Sequence, residues 1–230
     1  MLEQLKTEVL KANKRLQTEN LVVLTWGNVS GRDPETGLIV IKASGVRYDI
    51  MTEDDLVVVD PEGNVVEGKL HPSTDLPTHL VLYRNFKNIH GIVHTHSTFA
   101  AVWAQIGAGI PCYGTTHADY FPGVIPVTRE LTPDEVKADY EKSTGEVIVE
   151  TFRDIDPEVM RAVLVKGHGP FVWGSSASDA LHNAIVLENV AKMDLFTKMA
   201  ADSGTKELGS AQLKKHYDRK FGEDAYYGQE

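Results

Sequence analysis

The strongest constraint on the fold is an alternation: short β-branched runs and helix-periodic stretches follow one another along the chain, and one of those runs turns back on itself. Residues 56–59 (Leu-Val-Val-Val) lead through Pro61-Glu62-Gly63-Asn64 into Val65-Val66, the composition of a hairpin around a turn. A hairpin pairs antiparallel strands. A sheet that contains it is not purely parallel, and the interleaved helices must cover its faces. The opening helix follows from Leu2, Leu5, Val9, Ala12 and Leu16, whose spacings of 3, 4, 3 and 4 put them on one face. Further strands are expected at 21–26, 38–42, 92–96, 162–166 and 171–173. Helices are expected from Thr74 or Asp75 to about 86, at 98–105 behind Ser97 as cap, and from the capping box Thr132-Pro133-Asp134-Glu135. Two more follow, from Ser176 or Ser178 to about 200 and from about Ser210. No repeat or linker interrupts the pattern, so one α/β domain is expected over residues 1–230.

Composition narrows the partners. A hydrophobic fraction of 42% over 230 residues fills a core without staples, since a chain this long can bury about 70% of its unfolded surface. The 23 Lys and Arg against 33 Asp and Glu give a formal charge of −10. A surface that negative repels phosphate backbones and anionic lipid, so neither nucleic acid nor membrane is an expected partner. The one basic cluster, Lys214, Lys215, Arg219 and Lys220, is short enough to be a solvated helix face or a small-anion contact. A single cysteine, Cys112, excludes an intramolecular disulfide and favours a reducing compartment. The acid-bearing start Met-Leu-Glu-Gln-Leu-Lys is unlike a secretory signal, and no apolar run reaches the about 18 residues of a membrane span. A cytoplasmic location is the expectation.

Three groups of residues carry chemistry. His94-Thr95-His96 closes an apolar run, and residues two apart in a strand share a face, so two imidazoles can converge on one ion. His168 sits in Gly167-His168-Gly169, a sharp turn, and Asp75 is a candidate fourth ligand. Three neutral imidazoles suit zinc with an open position, although spacing alone leaves a packing role open for each histidine. The second group is Gly27-Asn28, Lys42 with Ser44-Gly45, and Ser73-Thr74. Glycine-turn amides, hydroxyls, one ammonium and a helix start are what a phosphate dianion needs. Each is equally an ordinary turn. None follows the nucleotide phosphate-loop pattern, so a small sugar phosphate fits better than a nucleotide. The third group is proton-transfer candidates: Asp119 in the polar stretch 115–120, expected as a loop, and the tail tyrosines Tyr226-Tyr227. His216, Arg219 and Lys220 lie near those tyrosines in sequence, and cations lower a phenol pKa.

Thr25-Trp26-Gly27-Asn28-Val29-Ser30, Ile41-Lys42-Ala43-Ser44-Gly45-Val46, Pro72-Ser73-Thr74-Asp75, Gly91-Ile92-Val93-His94-Thr95-His96-Ser97 and Gly167-His168-Gly169-Pro170 together resemble the class II aldolase/adducin family. Gly114-Thr115-Thr116-His117-Ala118-Asp119-Tyr120-Phe121 and Ala225-Tyr226-Tyr227-Gly228-Gln229 resemble its L-ribulose-5-phosphate 4-epimerase branch. The resemblance runs from Leu2 to Gln229. It implies a single three-layer α/β/α domain on a mainly antiparallel central sheet, assembled as a homotetramer with active sites at subunit interfaces. It implies zinc, or another divalent metal, on His94, His96 and His168 with Asp75 beside it. Gly27, Asn28, Lys42, Ser44, Gly45, Ser73 and Thr74 match the substrate and phosphate positions, and Asp119 and Tyr227 match the two acid/base residues. Ala43 stands where proline is usual and Thr74 where serine is usual; both keep the backbone donor.

The implied reaction interconverts L-ribulose 5-phosphate and D-xylulose 5-phosphate, in arabinose or ascorbate catabolism. Cleavage of the C3–C4 bond gives dihydroxyacetone enediolate and glycolaldehyde phosphate, and re-formation on the other aldehyde face inverts C4. The C4 hydroxyl points oppositely in the two epimers, so two proton-transfer groups on opposite sides are needed. Two rivals share the fold. A fuculose- or rhamnulose-type sugar-phosphate aldolase carries glutamate where this chain has Asp75, and an adducin-like interaction module needs no metal, against which the three histidines argue.

Overall fold

A computed structural model describes residues 2–202 and 204–227. Along the chain the elements are α1 (Glu3–Thr18), β1 (Asn28–Arg32), β2 (Ile39–Lys42), β3 (Leu56–Val59), β4 (Val65–Glu67), α2 (Leu76–Asn85) and β5 (Gly91–His94). They continue with α3 (Thr98–Ile106), α4 (Thr115–Ala118), α5 (Pro133–Ala138), α6 (Tyr140–Thr151), β6 (Ala162–Leu164), β7 (Pro170–Gly174), α7 (Ala177–Ala200) and α8 (Ser210–Phe221). Among the described residues the strands form one seven-stranded sheet in the order β4-β3-β2-β1-β5-β7-β6. Every neighbouring pair in it is antiparallel, as the 56–66 hairpin requires of its own corner.

Strand β1 explains the layering. Successive side chains leave a strand on opposite faces. Asn28, Ser30 and Arg32 all bond to α2 or to the turns at its two ends: Asn28 to Ser73 and Asp75, Ser30 to His79 and Tyr83, Arg32 to the Tyr83 carbonyl. Gly31 turns the other way, and a Cβ there would meet Leu5 and Val9 of α1. So α1 and α2 lie on opposite faces, and one α/β/α sandwich results. On the α2 side Trp173 packs against Phe86 and Phe152, while α7 covers β5 and β7 from the α1 side.

Several sequence expectations change. Residues 21–26 are a turn, not a strand: Leu24 takes φ 57 and the Leu21 N–H closes back on Leu16. Sheet pairing starts instead at Asn28, in a segment whose polar residues face a helix. Residues 115–118 form a short helix where a loop was expected. Strand β5 stops at His94, so His96 lies in the following turn. Helix α6 was not expected, because Ser143, Thr144 and Gly145 are weak helix formers. Gly145 is required by packing, since a Cβ there would stand 2.7 Å from Val81 of α2. Ser176 caps α7 and Thr132 caps α5 as expected, but neither Ser97 nor Asp75 caps with its side chain. The Glu188 carboxylate accepts from the Phe99 and Ala100 N–H groups instead.

At Gly91 a Cβ would lie 2.1–2.5 Å from the backbone of Ser176 and Ala177. Backbone cannot step aside there, so Gly91→Ala should cost about 3 kcal/mol in urea denaturation. A loss below about 0.5 kcal/mol would mean that β5 and the start of α7 are not in this contact.

Candidate active site and metal centre

Three imidazoles meet at one end of the sheet. His94 ends β5, stacked at 4.2 Å on Phe171 of β7, directly across the ladder. His96 follows in the turn, so its approach comes from that turn and not from strand alternation. His168 sits in the tight 165–169 reversal between β6 and β7, closed by Val165 N–H to Gly169 and His168 N–H to Val165. Two glycines make the convergence possible. Gly169 lets the reversal press on the 94–96 turn, where a Cβ would be 2.6 Å from the Thr95 carbonyl. Gly27, at φ +83, passes under the His94 carbonyl, 2.7 Å from where its own Cβ would be.

The result is a donor cluster. His96 Nε2 lies 3.1 Å from His94 Nε2 and 3.0 Å from His168 Nε2. Ligand bonds of about 2.0–2.1 Å at near-tetrahedral angles put neighbouring donors about 3.3 Å apart, so these nitrogens fit one ion. His94 Nδ1 faces the Pro170 carbonyl at 3.0 Å, which fixes its proton there and leaves Nε2 bare. Burial, then His94 and His96, pushes His168 down to about 3, and burial lowers His96 as well. Both rings are therefore neutral at neutral pH, the form a metal requires. Asp75 Oδ2 stands 4.0 Å from His94 Nε2. Burial opposes its ionisation, but His94, His79 and the Asn28 amide outweigh that and keep its pKa low. The three histidines can hold a metal ion, with Asp75 beside it.

The expected anion donors are in the same cavity, of about 360 Å³. Gly27, Asn28, Lys42, Ser44, Gly45, Ser73, Thr74 and Asp75 line it together with the three histidines. Lys42 is 2% exposed, and its Nζ donates to the Ala43 carbonyl at 3.1 Å. Burial brings its pKa down to about 8 against the pull of Asp55. The N-terminus of α2 opens beside Ser73 and Thr74, adding its partial positive charge. Sequence reasoning missed two wall residues. Tyr140 reaches to 3.4 Å from His168 Nδ1, and Trp26 lies with its ring centroid 6.2 Å from that of His96. Tyr140 had no legible signal, because its helix was not foreseen; Trp26 stood in the 25–30 motif without a role.

Asp119 and Tyr227 do not line that cavity. They are brought together elsewhere, on Arg219 of α8. Its Nε and Nη2 donate to the two Asp119 oxygens at 2.8 and 2.6 Å, and its guanidinium lies 4.5 Å above the Tyr227 ring. His216 Nδ1 adds a third contact to Asp119 at 3.0 Å. Burial would raise the Asp119 pKa, yet the Arg219 and His216 bonds prevail and hold it low. It is a carboxylate at neutral pH. Gly228 and Gln229 of the tail motif lie outside the described residues. The basic cluster is a helix face: Lys214 pairs with Asp218, Arg219 with Asp119, and Lys220 lies over Tyr120.

Residues 7–195 match the Class II Aldolase and Adducin N-terminal domain. The chain belongs to this family. Among solved structures an L-fuculose 1-phosphate aldolase is 26% identical, with a TM-score of 0.80 over 95% of this chain and 97% of its own. YgbL from Escherichia coli, a putative aldolase/epimerase/decarboxylase, is 21% identical, with a TM-score of 0.74 over 92% of this chain and 97% of its own. L-fuculose-1-phosphate aldolase from Thermus thermophilus is 24% identical, with a TM-score of 0.68 over 88% of this chain and 98% of its own. The last two share the fold. No helix among the described residues is long and apolar enough to cross a membrane.

A class II aldolase-like triad should take up about one divalent ion per chain. His168→Ala should weaken that binding at least about 100-fold by metal titration; unchanged affinity would remove His168 from the ligand set. Lys42 carries its charge below about 8 and loses it above. Inorganic phosphate should therefore bind more weakly as pH rises from about 7.5 to about 9, and Lys42→Gln should bind weakly with no such slope.

Proposed function

We propose that this chain is an L-ribulose-5-phosphate 4-epimerase, a single cytoplasmic domain working as a homotetramer, with zinc as its expected ion. The observation that carries the reading is the separation of two half-sites. Metal and anion donors share one cavity, while a carboxylate and a phenol are paired on Arg219 outside it. A neighbouring subunit's Asp119 and Tyr227 would complete the cavity, and exposed Val23, Leu24 and Trp26 beside it supply apolar surface for that contact.

His94, His96 and His168 would hold the ion, with Asp75 adjacent. When bound, it supplies a Lewis acid that stabilises negative charge on the sugar's first oxygens. Lys42, Ser44, Gly45, Ser73 and Thr74 bind and orient the phosphate, while Gly27 and Asn28 line the sugar. Asn28 Oδ1 is buried without a partner, an acceptor that a sugar hydroxyl satisfies. The Asp119 carboxylate takes the C4 hydroxyl proton of one epimer as the C3–C4 bond breaks and its electron pair moves into the ketone fragment. Tyr227 returns a proton to the C4 oxygen when the bond re-forms on the other aldehyde face. Two acceptors on opposite sides match the two hydroxyl directions. A second reading has support of its own: the 26% identity to an L-fuculose 1-phosphate aldolase favours net cleavage. Against it, Asp75 is too short to swing off a metal as a longer carboxylate can.

Supplied with L-ribulose 5-phosphate, the protein should give chiefly the xylulose epimer; free aldehyde as the main product would select the aldolase. Asp119→Asn should lose at least about 100-fold in kcat while still binding metal. Reassembling inactive His96→Asn subunits with inactive Asp119→Asn subunits should restore roughly a quarter of wild-type activity, since random assortment pairs two intact halves at that frequency. No recovery in such hybrids would place both halves in one subunit.

A further inference from the structure

One buried charge is not used by the site above. His117 of α4 is 1% exposed, and both its ring nitrogens face oxygen. Nδ1 lies 2.7 Å from Asp194 Oδ2 of α7, and Nε2 lies 2.8 Å from the Gly123 carbonyl. A carbonyl oxygen can only accept, so Nε2 must carry a proton. The carboxylate of Asp194 is 3% exposed, and His117 is the one basic group within ion-pair distance of it among the described residues. The nearby Cys112 thiol offers no counter-charge: burial, then Asp194 and Glu207, pushes it up to about 12, so it stays neutral. An ionised Asp194 thus needs the second ring proton on His117 Nδ1.

We propose that His117 is a permanently charged imidazolium and that its buried pair with Asp194 is the positioning device for Asp119. The clamp acts through the backbone. Asp119 lies two residues after His117, and its N–H bonds the Thr115 carbonyl; the Tyr120 and Phe121 N–H groups bond the His117 carbonyl. The His117 ring then reaches past Asp119 to Gly123, so the 117–123 segment is closed on itself and tied to α7 through Asp194. Phe121 closes the pocket edge-on, 6.0 Å from the His117 ring. On this geometry Asp119 is held from both directions: by Arg219 and His216 at its carboxylate, and by the imidazolium beneath its backbone.

The catalytic consequence rests on the role proposed for Asp119; the charge on His117 does not. Nitrogen NMR of the metal-loaded wild-type protein at about pH 7 should find both His117 ring nitrogens protonated. One bare ring nitrogen would overturn the proposal, because the proton would then reside on Asp194. In Asp194→Asn the ring should lose one proton, and kcat should fall about tenfold with KM and bound metal per chain unchanged. Wild-type kcat in a folded Asp194→Asn protein with a neutral ring would overturn the positioning role. Wild-type kcat in Asp119→Asn would instead refute the role of Asp119 and leave the imidazolium standing, so the two failures are distinguishable.

Discussion

Bare imidazole nitrogens about 3 Å apart repel one another through their lone pairs, and a protein gathers three of them only where something else enforces the contact. Here the enforcement is backbone. The 165–169 reversal lies against the 94–96 turn with no room for a side chain at Gly169, and Gly27 passes under the His94 carbonyl with no room for one either. His94 is held in the same way, its Nδ1 on the Pro170 carbonyl and its ring flat on Phe171. A divalent cation turns that repulsion into attraction. The donor geometry is therefore paid for in folding, and the cavity around it inherits its shape.

That arrangement also sets the electrostatics of the cavity. The same burial that neutralises His168 brings Lys42 to about 8. Asp75 alone stays anionic, because the Asn28 amide and neighbouring imidazoles support it. A neutral histidine set, one carboxylate and one poised ammonium suit an ion on one side and a phosphate on the other. Asn28 links the two sides, since its amide bonds both Ser73 and Asp75 while its place in β1 is directly across from His94.

Much of this was legible in the sequence, and the misses have physical causes. The hairpin at 56–66, the opening helix and the long helix from Ser176 follow from periodicity and capping. The donors His94, His96 and His168 were legible as chemistry, but spacing could not show that a turn 72 residues beyond His96 would bring His168 within 3.0 Å. Residues 21–26 read as a strand because apolar composition was weighed without Leu24's left-handed turn. Conversely, β1 was hidden because Asn28, Ser30 and Arg32 direct their polarity at α2, inverting the usual polar-out alternation. Helix α6 was hidden because its glycine serves close packing on α2. In each miss a tertiary contact overrode local preference.

Helix α7 shows the same override at larger scale and joins the two half-sites. Its polar residues are mostly anchors. Asn183 donates to the Trp173 carbonyl of β7, Glu188 takes the first N–H groups of α3 just after His96, and Asp194 takes His117 just before Asp119. Ala191 contributes its own carbonyl to the Trp103 indole. Polar groups on buried positions blur an amphipathic pattern, yet replacing any one leaves a helix end, a carbonyl or an imidazole without its partner. The metal-side turn and the proton-transfer turn thus hang from one rigid rod, with Glu188 and Asp194 six residues apart, about 9 Å along a helix axis. If subunits exchange these turns across an interface, the rod also fixes the angle at which each protomer offers one half-site while receiving the other.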